Sequence, residues 1–96
     1  MIRHVAVFRF VPEFTEEQRD VWIGMVADLP NHIPEIKAMS IGKDVLNGPM
    51  SHEVAIVADF DNLEDLATYS SHPAHQPVLD MSGPVKQSLA VVDFEI

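Results

Sequence analysis

The sequence predicts an α+β domain, because its hydropathy pattern changes period several times along the chain. Apolar and polar residues alternate, as in half-buried strands, over Ile2–Phe10, His52–Phe60 and Lys86–Ile96. A weaker strand fits Glu35–Lys43. Two intervening segments instead repeat their apolar residues at helical spacing. The resulting order, β-α-β-β-α-β, predicts a ferredoxin-like fold: a four-stranded antiparallel sheet in the order 4-1-3-2 with two helices on one face.

The helices carry recognisable start and stop signals. Helix one begins at the capping-box sequence Thr15-Glu16-Glu17-Gln18 and ends at Pro30. Helix two begins near Asp61, which we expect to be its N-cap. A short third helix fits Gln76–Met81, with Pro77 in its first turn. These elements predict one domain spanning residues 1–96.

Composition excludes several classes of function. The chain has no cysteine, which rules out disulfides and cysteine-based zinc sites. Its formal net charge of −9 argues against nucleic acid and anionic membranes as partners, since both require clustered positive charge. No apolar run approaches the roughly 18 residues of a membrane span, and no signal-peptide pattern is present. We therefore expect a soluble, cytoplasmic protein.

The second face of the predicted sheet is also apolar. If one face packs under the helices, the other is expected to be polar in a monomer. Its expected members instead include the pairs Val5 and Val7, Ala55 and Val57, and Leu89 and Val91. A second copy of the sheet, related by a two-fold axis, would cover this face. The pattern therefore predicts a homodimer through stacked sheet faces.

The histidines and the single tyrosine are the candidate site residues. We expect strands one and three to be parallel neighbours, which would place His4 and His52 side by side near their starts. Each helix would then return to that same end of the sheet. This arrangement predicts one rim that collects all five histidines and the tyrosine: His4, His32, His52, Tyr69, His72 and His75.

Such a rim suits proton transfer. Histidine can be an acid or a base near neutral pH, and tyrosine can donate a hydrogen bond to a developing oxyanion. Metal binding is the competing use, because His72 and His75 are closely spaced, although Pro73 fixes the backbone between them. Trp22 and the phenylalanines are expected in the core or the pocket wall.

Several segments along the chain resemble the stress-responsive dimeric α/β-barrel (Dabb) family. The resemblance includes Arg3-His4-Val5, Phe8-Arg9-Phe10 and Gly42-Lys43-Asp44. Its most specific part is the block Tyr69-Ser70-Ser71-His72-Pro73-Ala74-His75, followed at the end of the chain by Val92-Asp93-Phe94. The resemblance implies a ferredoxin-like homodimer whose sheets form a barrel.

The resemblance also implies roles for individual residues. The family includes a plant polyketide cyclase that closes a poly-β-keto chain by aldol condensation without a cofactor. By that likeness, His75 would abstract the proton and Tyr69 would hold the substrate oxygen. His4 and His52 would bind substrate in the pocket. Val26 stands where the cyclase has a tyrosine, so the pocket, with Phe8 and Trp22 as further expected contacts, should be more apolar there.

Three functions are compatible with this sequence. The first is a cofactor-independent cyclase-like or lyase-like enzyme that acts on a small apolar or phenolic compound. The second is a stress-related protein that binds such a ligand without chemistry. The third is a cofactor-free monooxygenase that acts on quinol-like substrates.

Overall fold

A computed structural model describes residues 1–96 and contains four strands and three helices. The strands are β1 (Ile2–Phe10), β2 (Ala38–Lys43), β3 (Val54–Phe60) and β4 (Lys86–Glu95). The helices are α1 (Glu16–Asp28), α2 (Leu63–Ser71) and α3 (Gln76–Ser82). Short 3-10 turns cover Leu29–Asn31, Pro73–His75 and Gly83–Val85. The β-α-β-β-α-β order predicted from hydropathy is therefore confirmed, with α3 as a short addition before the last strand.

The sheet is antiparallel throughout and has the order β2-β3-β1-β4, which confirms the ferredoxin-like architecture. The expectation that β1 and β3 run parallel is wrong. Ile2 pairs with Phe60 and Phe8 pairs with Val54, so the two strands run in opposite directions. The topology explains this, because α1 returns the chain to make β2 parallel to β1, and β3 then pairs antiparallel with β2.

Helix starts follow local capping chemistry. The Thr15 hydroxyl accepts a hydrogen bond from the Gln18 backbone N–H, and the Gln18 side chain accepts one from the Thr15 backbone N–H, so the predicted capping box is confirmed. At α2 the N-cap is Asn62 and not Asp61, because the Asn62 side chain accepts from the Asp65 N–H at 2.8 Å.

The core lies between the helices and one face of the sheet. Strands β1 and β3 bury alternate residues on this face, among them Ala6, Phe8 and Phe10. Trp22 projects from α1 into this layer, where its ring packs edge-on against Phe8 and Phe10 at 5.1 and 5.4 Å between centroids. Its Nε1–H donates to the Val78 carbonyl at 3.1 Å, which ties α1 to α3.

Strand β4 presents its two faces differently from the expectation. Leu89 lies opposite Phe8 and Val91 lies opposite Ala6, so both share the helix-facing side of the sheet. The assignment of Leu89 and Val91 to the second face is therefore wrong. From Ser88 onward the even-numbered residues occupy that face instead, and Val92 and Phe94 are its large exposed apolar members in β4. None of the helices has both the length and the apolar character needed to cross a bilayer.

Candidate functional site

A cavity of about 170 Å³ lies between the helix-facing side of the sheet and the helices. Most of its wall is apolar, including Ala6, Phe8, Trp22, Ile56, Leu89 and Val91. A cavity of about 150 Å³ is large enough to hold benzene, so this space can take a compound with one aromatic ring. Its polar groups are His4, Tyr69, Ser70, His75, Ser82 and Lys86.

Tyr69 lies on the inner side of α2 and is only 3% exposed. Its ring packs against Phe60, with centroids 5.2 Å apart. The Tyr69 hydroxyl makes no hydrogen bond to the protein. Every fully buried side-chain polar atom in the structure has a hydrogen-bond partner, so this hydroxyl is not fully buried. The hydroxyl therefore reaches open space in the cavity that Tyr69 lines. Burial raises the pKa of Tyr69 to about 12, so this group stays protonated and available as a donor.

His75 reaches Tyr69 because the chain turns sharply after α2. The helix ends at Ser71, since Pro73 follows, and His72 adopts an extended backbone. The His72 ring then caps the next turn, with its Nδ1 accepting from the Ala74 N–H at 3.0 Å. This turn brings the His75 ring against Tyr69, with centroids 4.4 Å apart and an interplanar angle of 28°.

The hydrogen bond of His75 fixes its tautomer. Nδ1 lies 3.2 Å from the Ser70 carbonyl oxygen, which can only accept, so Nδ1 carries the hydrogen. Neutral His75 therefore has its lone pair on Nε2, which has no protein partner. Burial lowers the pKa of His75 below the usual 6.5. The nearby imidazoles of His4 and His72 act in the same direction, against the Ser70 carbonyl. A neutral, acceptor-competent imidazole at pH 7 is the state that a general base requires.

His4 forms the third part of this cluster. Its ring centroid lies 6.1 Å from that of Tyr69, in an edge-on arrangement. Asp93 is directly opposite His4 in the pairing of β1 with β4, and its Oδ1 lies 2.5 Å from His4 Nδ1. The carboxylate thus accepts from Nδ1–H and holds the ring in one orientation. This leaves Nε2 of His4 as the nitrogen available to the cavity.

Comparison with known proteins agrees with this architecture. Residues 2–96 match the family described as "Stress responsive A/B Barrel Domain". The chain belongs to that family. The resemblance inferred from the sequence segments is thereby confirmed.

The similarity to individual known proteins also extends over almost the full length of the chain. Olivetolic acid cyclase from Cannabis sativa is 28% identical over 95 residues, which cover 97% of this chain and 94% of the cyclase. A crystal structure from Thermobifida fusca, described as a dimeric ferredoxin-like protein of unknown function, superposes with a TM-score of 0.90. It is 32% identical, and the match covers 99% of this chain and 90% of the other.

A hydroxynitrile lyase shares the fold at lower sequence similarity. The enzyme from Passiflora edulis superposes with a TM-score of 0.85 at 22% identity, over 99% of this chain and 92% of its own. At this level of identity the similarity concerns the fold alone. The chain is thus similar in sequence to a protein named as a cyclase and similar in fold to one named as a lyase.

The structure brings together His4, Tyr69 and His75 but separates His52 from them. His4 pairs with Ala58 in β3, whereas His52 precedes Val54 at the opposite end of that strand. Six residues of extended chain correspond to roughly 20 Å. His52 instead lines a polar groove beside the start of α1, with Glu16 and Lys43. The expected single rim of histidines is wrong because it depended on a parallel arrangement of β1 and β3.

The remaining expected residues divide between the cavity and the core. Phe8 and Trp22 line the cavity, as expected of pocket walls. Val26 is completely buried in the hydrophobic core and does not line the cavity. His32 is exposed and pairs with Asp28 at 2.9 Å. No group of three or more His, Asp or Glu side chains has the geometry to hold a metal ion.

Two residues at the site, Asp93 and Lys86, are not predicted by the sequence pattern. The sequence pattern does not mark Asp93 as a site residue, yet antiparallel pairing of the first and last strands sets it opposite His4. At Lys86 the sequence pattern predicts only the start of a strand, yet this residue lines the cavity. The signal for both was the strand register, which hydropathy alternation alone does not supply.

Proposed function

We propose that this protein is a cofactor-independent enzyme that takes a proton from a small carbonyl or phenolic compound, in the manner of a polyketide cyclase or a lyase. The observation that carries the proposal is the stacked pair of Tyr69 and His75 in an apolar cavity. One ring offers an unpartnered hydroxyl and the other a free Nε2. Together they can hold an oxygen and accept a proton from a neighbouring carbon.

The reaction that suits this pair is an intramolecular aldol addition, the step of a condensation that forms the carbon–carbon bond. His75 Nε2 takes a proton from the carbon between two carbonyl groups, which leaves an enolate. The electron pair of that carbon attacks a second carbonyl carbon of the same molecule and forms the carbon–carbon bond. The electrons of the attacked carbonyl move to its oxygen, which receives the proton back from His75. Tyr69 donates a hydrogen bond to the oxygen that bears the charge.

The surroundings of the pair favour this chemistry. The low exposure of Tyr69 and the mostly apolar wall reduce contact with water, which strengthens a hydrogen bond to an oxyanion. His4, fixed by Asp93, lies beside Tyr69 and offers a second polar contact for a substrate oxygen. We assign His4, Phe8 and Trp22 to substrate binding. The 28% identity to olivetolic acid cyclase supports the same class of reaction.

We further propose that the chain acts as a homodimer with its sheets stacked. The second face of the sheet carries apolar side chains across three strands: Val5, Val7, Ala55, Val57, Ala90, Val92 and Phe94. A contiguous apolar surface of this kind is unusual in a soluble monomer. The Thermobifida fusca relative is described as dimeric. Light scattering should give about 21 kDa, twice the 10.7 kDa of one chain, and a mass of one chain would contradict the proposal.

Turnover of a panel of linear poly-β-ketones and cyanohydrins tests the enzymatic proposal. We expect product with at least one class, and loss of that product with His75→Ala at unchanged protein mass. Binding of panel members without product would indicate a ligand-binding protein. Oxygen uptake with quinols, in the absence of added cofactor, would indicate the monooxygenase alternative. Either result would replace the cyclase-like or lyase-like assignment.

A further inference from the structure

Among the lysines and arginines, only Lys86 has no intramolecular hydrogen-bond or ion-pair partner. The chain has only six Lys and Arg residues against fifteen Asp and Glu. The other five each contact an oxygen of the chain: Arg3 with Asp59, Arg9 with the Ser51 carbonyl, Arg19 with the Phe14 carbonyl, Lys37 with Asp61, and Lys43 with Asp20. In so acidic a protein, a lysine that none of the acids engages is a distinctive feature.

This lysine lies in the wall of the cavity. Lys86 begins β4 opposite Phe10, whereas the same strand ends near Asp93 opposite His4. The backbone separation between these two positions is about 20 Å along the strand. The strand residues that line the cavity between them are apolar: Ala6, Phe8, Leu89 and Val91. The cavity therefore has a proton-transfer end, an apolar middle and a single cationic end.

We propose that Lys86 determines substrate specificity by binding a carboxylate at the end of the substrate remote from the reacting carbonyl. The position of the reacting end rests on the proposed function, whereas the carboxylate contact does not. A protein with net charge −9 repels anions in general, so a local cation is needed to admit one. A carboxylate fits better than a phosphate, because one lysine with no arginine beside it in the cavity wall offers a single positive charge.

The inferred substrate is therefore an amphipathic acid. Its apolar part, up to one ring in size, would occupy the wall formed by Phe8 and Leu89. Its carboxylate would meet the Lys86 ammonium near the cavity mouth, where the side chain is exposed. Neutral analogues of the same shape would lose this contact and keep only the apolar one.

A matched pair of probes tests the contact without any chemistry. 4-Phenylbutanoate and 4-phenylbutanamide share a ring and a chain and differ in charge. By calorimetry at low ionic strength, we expect the wild-type protein to bind the carboxylate about five-fold more tightly than the amide, as for a partly exposed ion pair. Lys86→Met keeps an apolar stem but should remove this preference, and Lys86→Arg should retain it. Lys37→Met is the matched control, because Lys37 does not line the cavity.

The outcomes separate this inference from the proposed function. An unchanged carboxylate preference in Lys86→Met, equal binding of both probes by the wild type, or no binding at millimolar concentration would each overturn the role of Lys86. None of these results depends on turnover. Conversely, if His75→Ala left turnover intact while Lys86→Met abolished the carboxylate preference, the proposed base would be wrong and the carboxylate contact would stand.

Discussion

The ring of Tyr69 stacks on the ring of His75 with centroids 4.4 Å apart. The two residues are separated by the Pro73 turn, so the contact depends on a helix that ends early and a chain that folds back. Burial changes the two groups in complementary ways. It raises the pKa of Tyr69 and lowers that of His75, so near neutral pH one is a hydrogen-bond donor and the other a proton acceptor.

Replacing His75 by Ala should reduce turnover by about 10²–10⁴-fold, the usual contribution of one positioned general base. The fold should persist, since the loss of one stacked ring costs about 0.5–1.5 kcal/mol. Steady-state rates and thermal unfolding of the same preparation check both expectations. His32→Ala is the control, because His32 is exposed and pairs only with Asp28. Equal losses in the two variants would argue against a specific role for His75.

The pH profile should report the state of His75. Its pKa in the folded protein lies below the usual 6.5, so the neutral base persists as the pH falls past 6.5 and turnover drops only at a lower pH. The unfolded chain binds this proton more readily than the folded chain, so folding stability should also decline as pH falls from 6.5 through the folded pKa. An NMR titration of the His75 ring checks the direction, and a midpoint above 6.5 would contradict it.

Tyr69→Phe isolates the hydroxyl from the stacked ring. The hydroxyl has no protein partner, so the free energy of unfolding should change by less than about 0.5 kcal/mol. Turnover should fall by about 10²–10³-fold, the usual cost of removing one donor to an oxyanion. With a Tyr69 pKa of about 12, the wild-type profile should also show no loss from tyrosine ionisation below pH 10. Rates and urea unfolding of the two proteins, measured side by side, test this separation.

Much of the fold could be predicted from the sequence because its signals are local. The capping box at Thr15 depends on residues three apart, and the alternation in β1 marks the buried face directly. Tyr69 and His75 could be predicted as a pair because the block containing Pro73 is specific to a known family. In each case the informative residues are near neighbours in the chain.

The errors arose where the answer depended on how distant strands pair. Hydropathy alternation divides β4 into two sets of residues but does not say which set faces the helices. Pairing with β1 decides this: His4 opposite Asp93 puts Leu89 and Val91 in the cavity wall. The misplacement of His52 has the same origin, since the direction of β3 relative to β1 follows from the whole topology.

Trp22→Phe should destabilise the protein by roughly 1–3 kcal/mol, because it removes ring volume from the core and the bond from Nε1 to the Val78 carbonyl. The change should also loosen α3 and so enlarge the cavity beside Tyr69. Urea denaturation measures the loss of stability. The neighbouring substitution Val21→Ala, at a position 60% exposed, should change stability by less than about 0.5 kcal/mol.

Val57→Asp should dissociate the proposed homodimer. Val57 pairs with Val5 near the centre of the second sheet face, so an aspartate there would leave an unpaired carboxylate between two stacked sheets. Its backbone position in β3 is unaffected, and a dissociated chain would retain its circular dichroism. Light scattering should then show a shift from about 21 kDa towards 10.7 kDa. Leu63→Asp provides the control, because Leu63 is 65% exposed at the start of α2, away from this face, and should leave the mass unchanged. A dimer that survived Val57→Asp would mean that the contact between copies lies elsewhere, and the apolar second face would need another occupant.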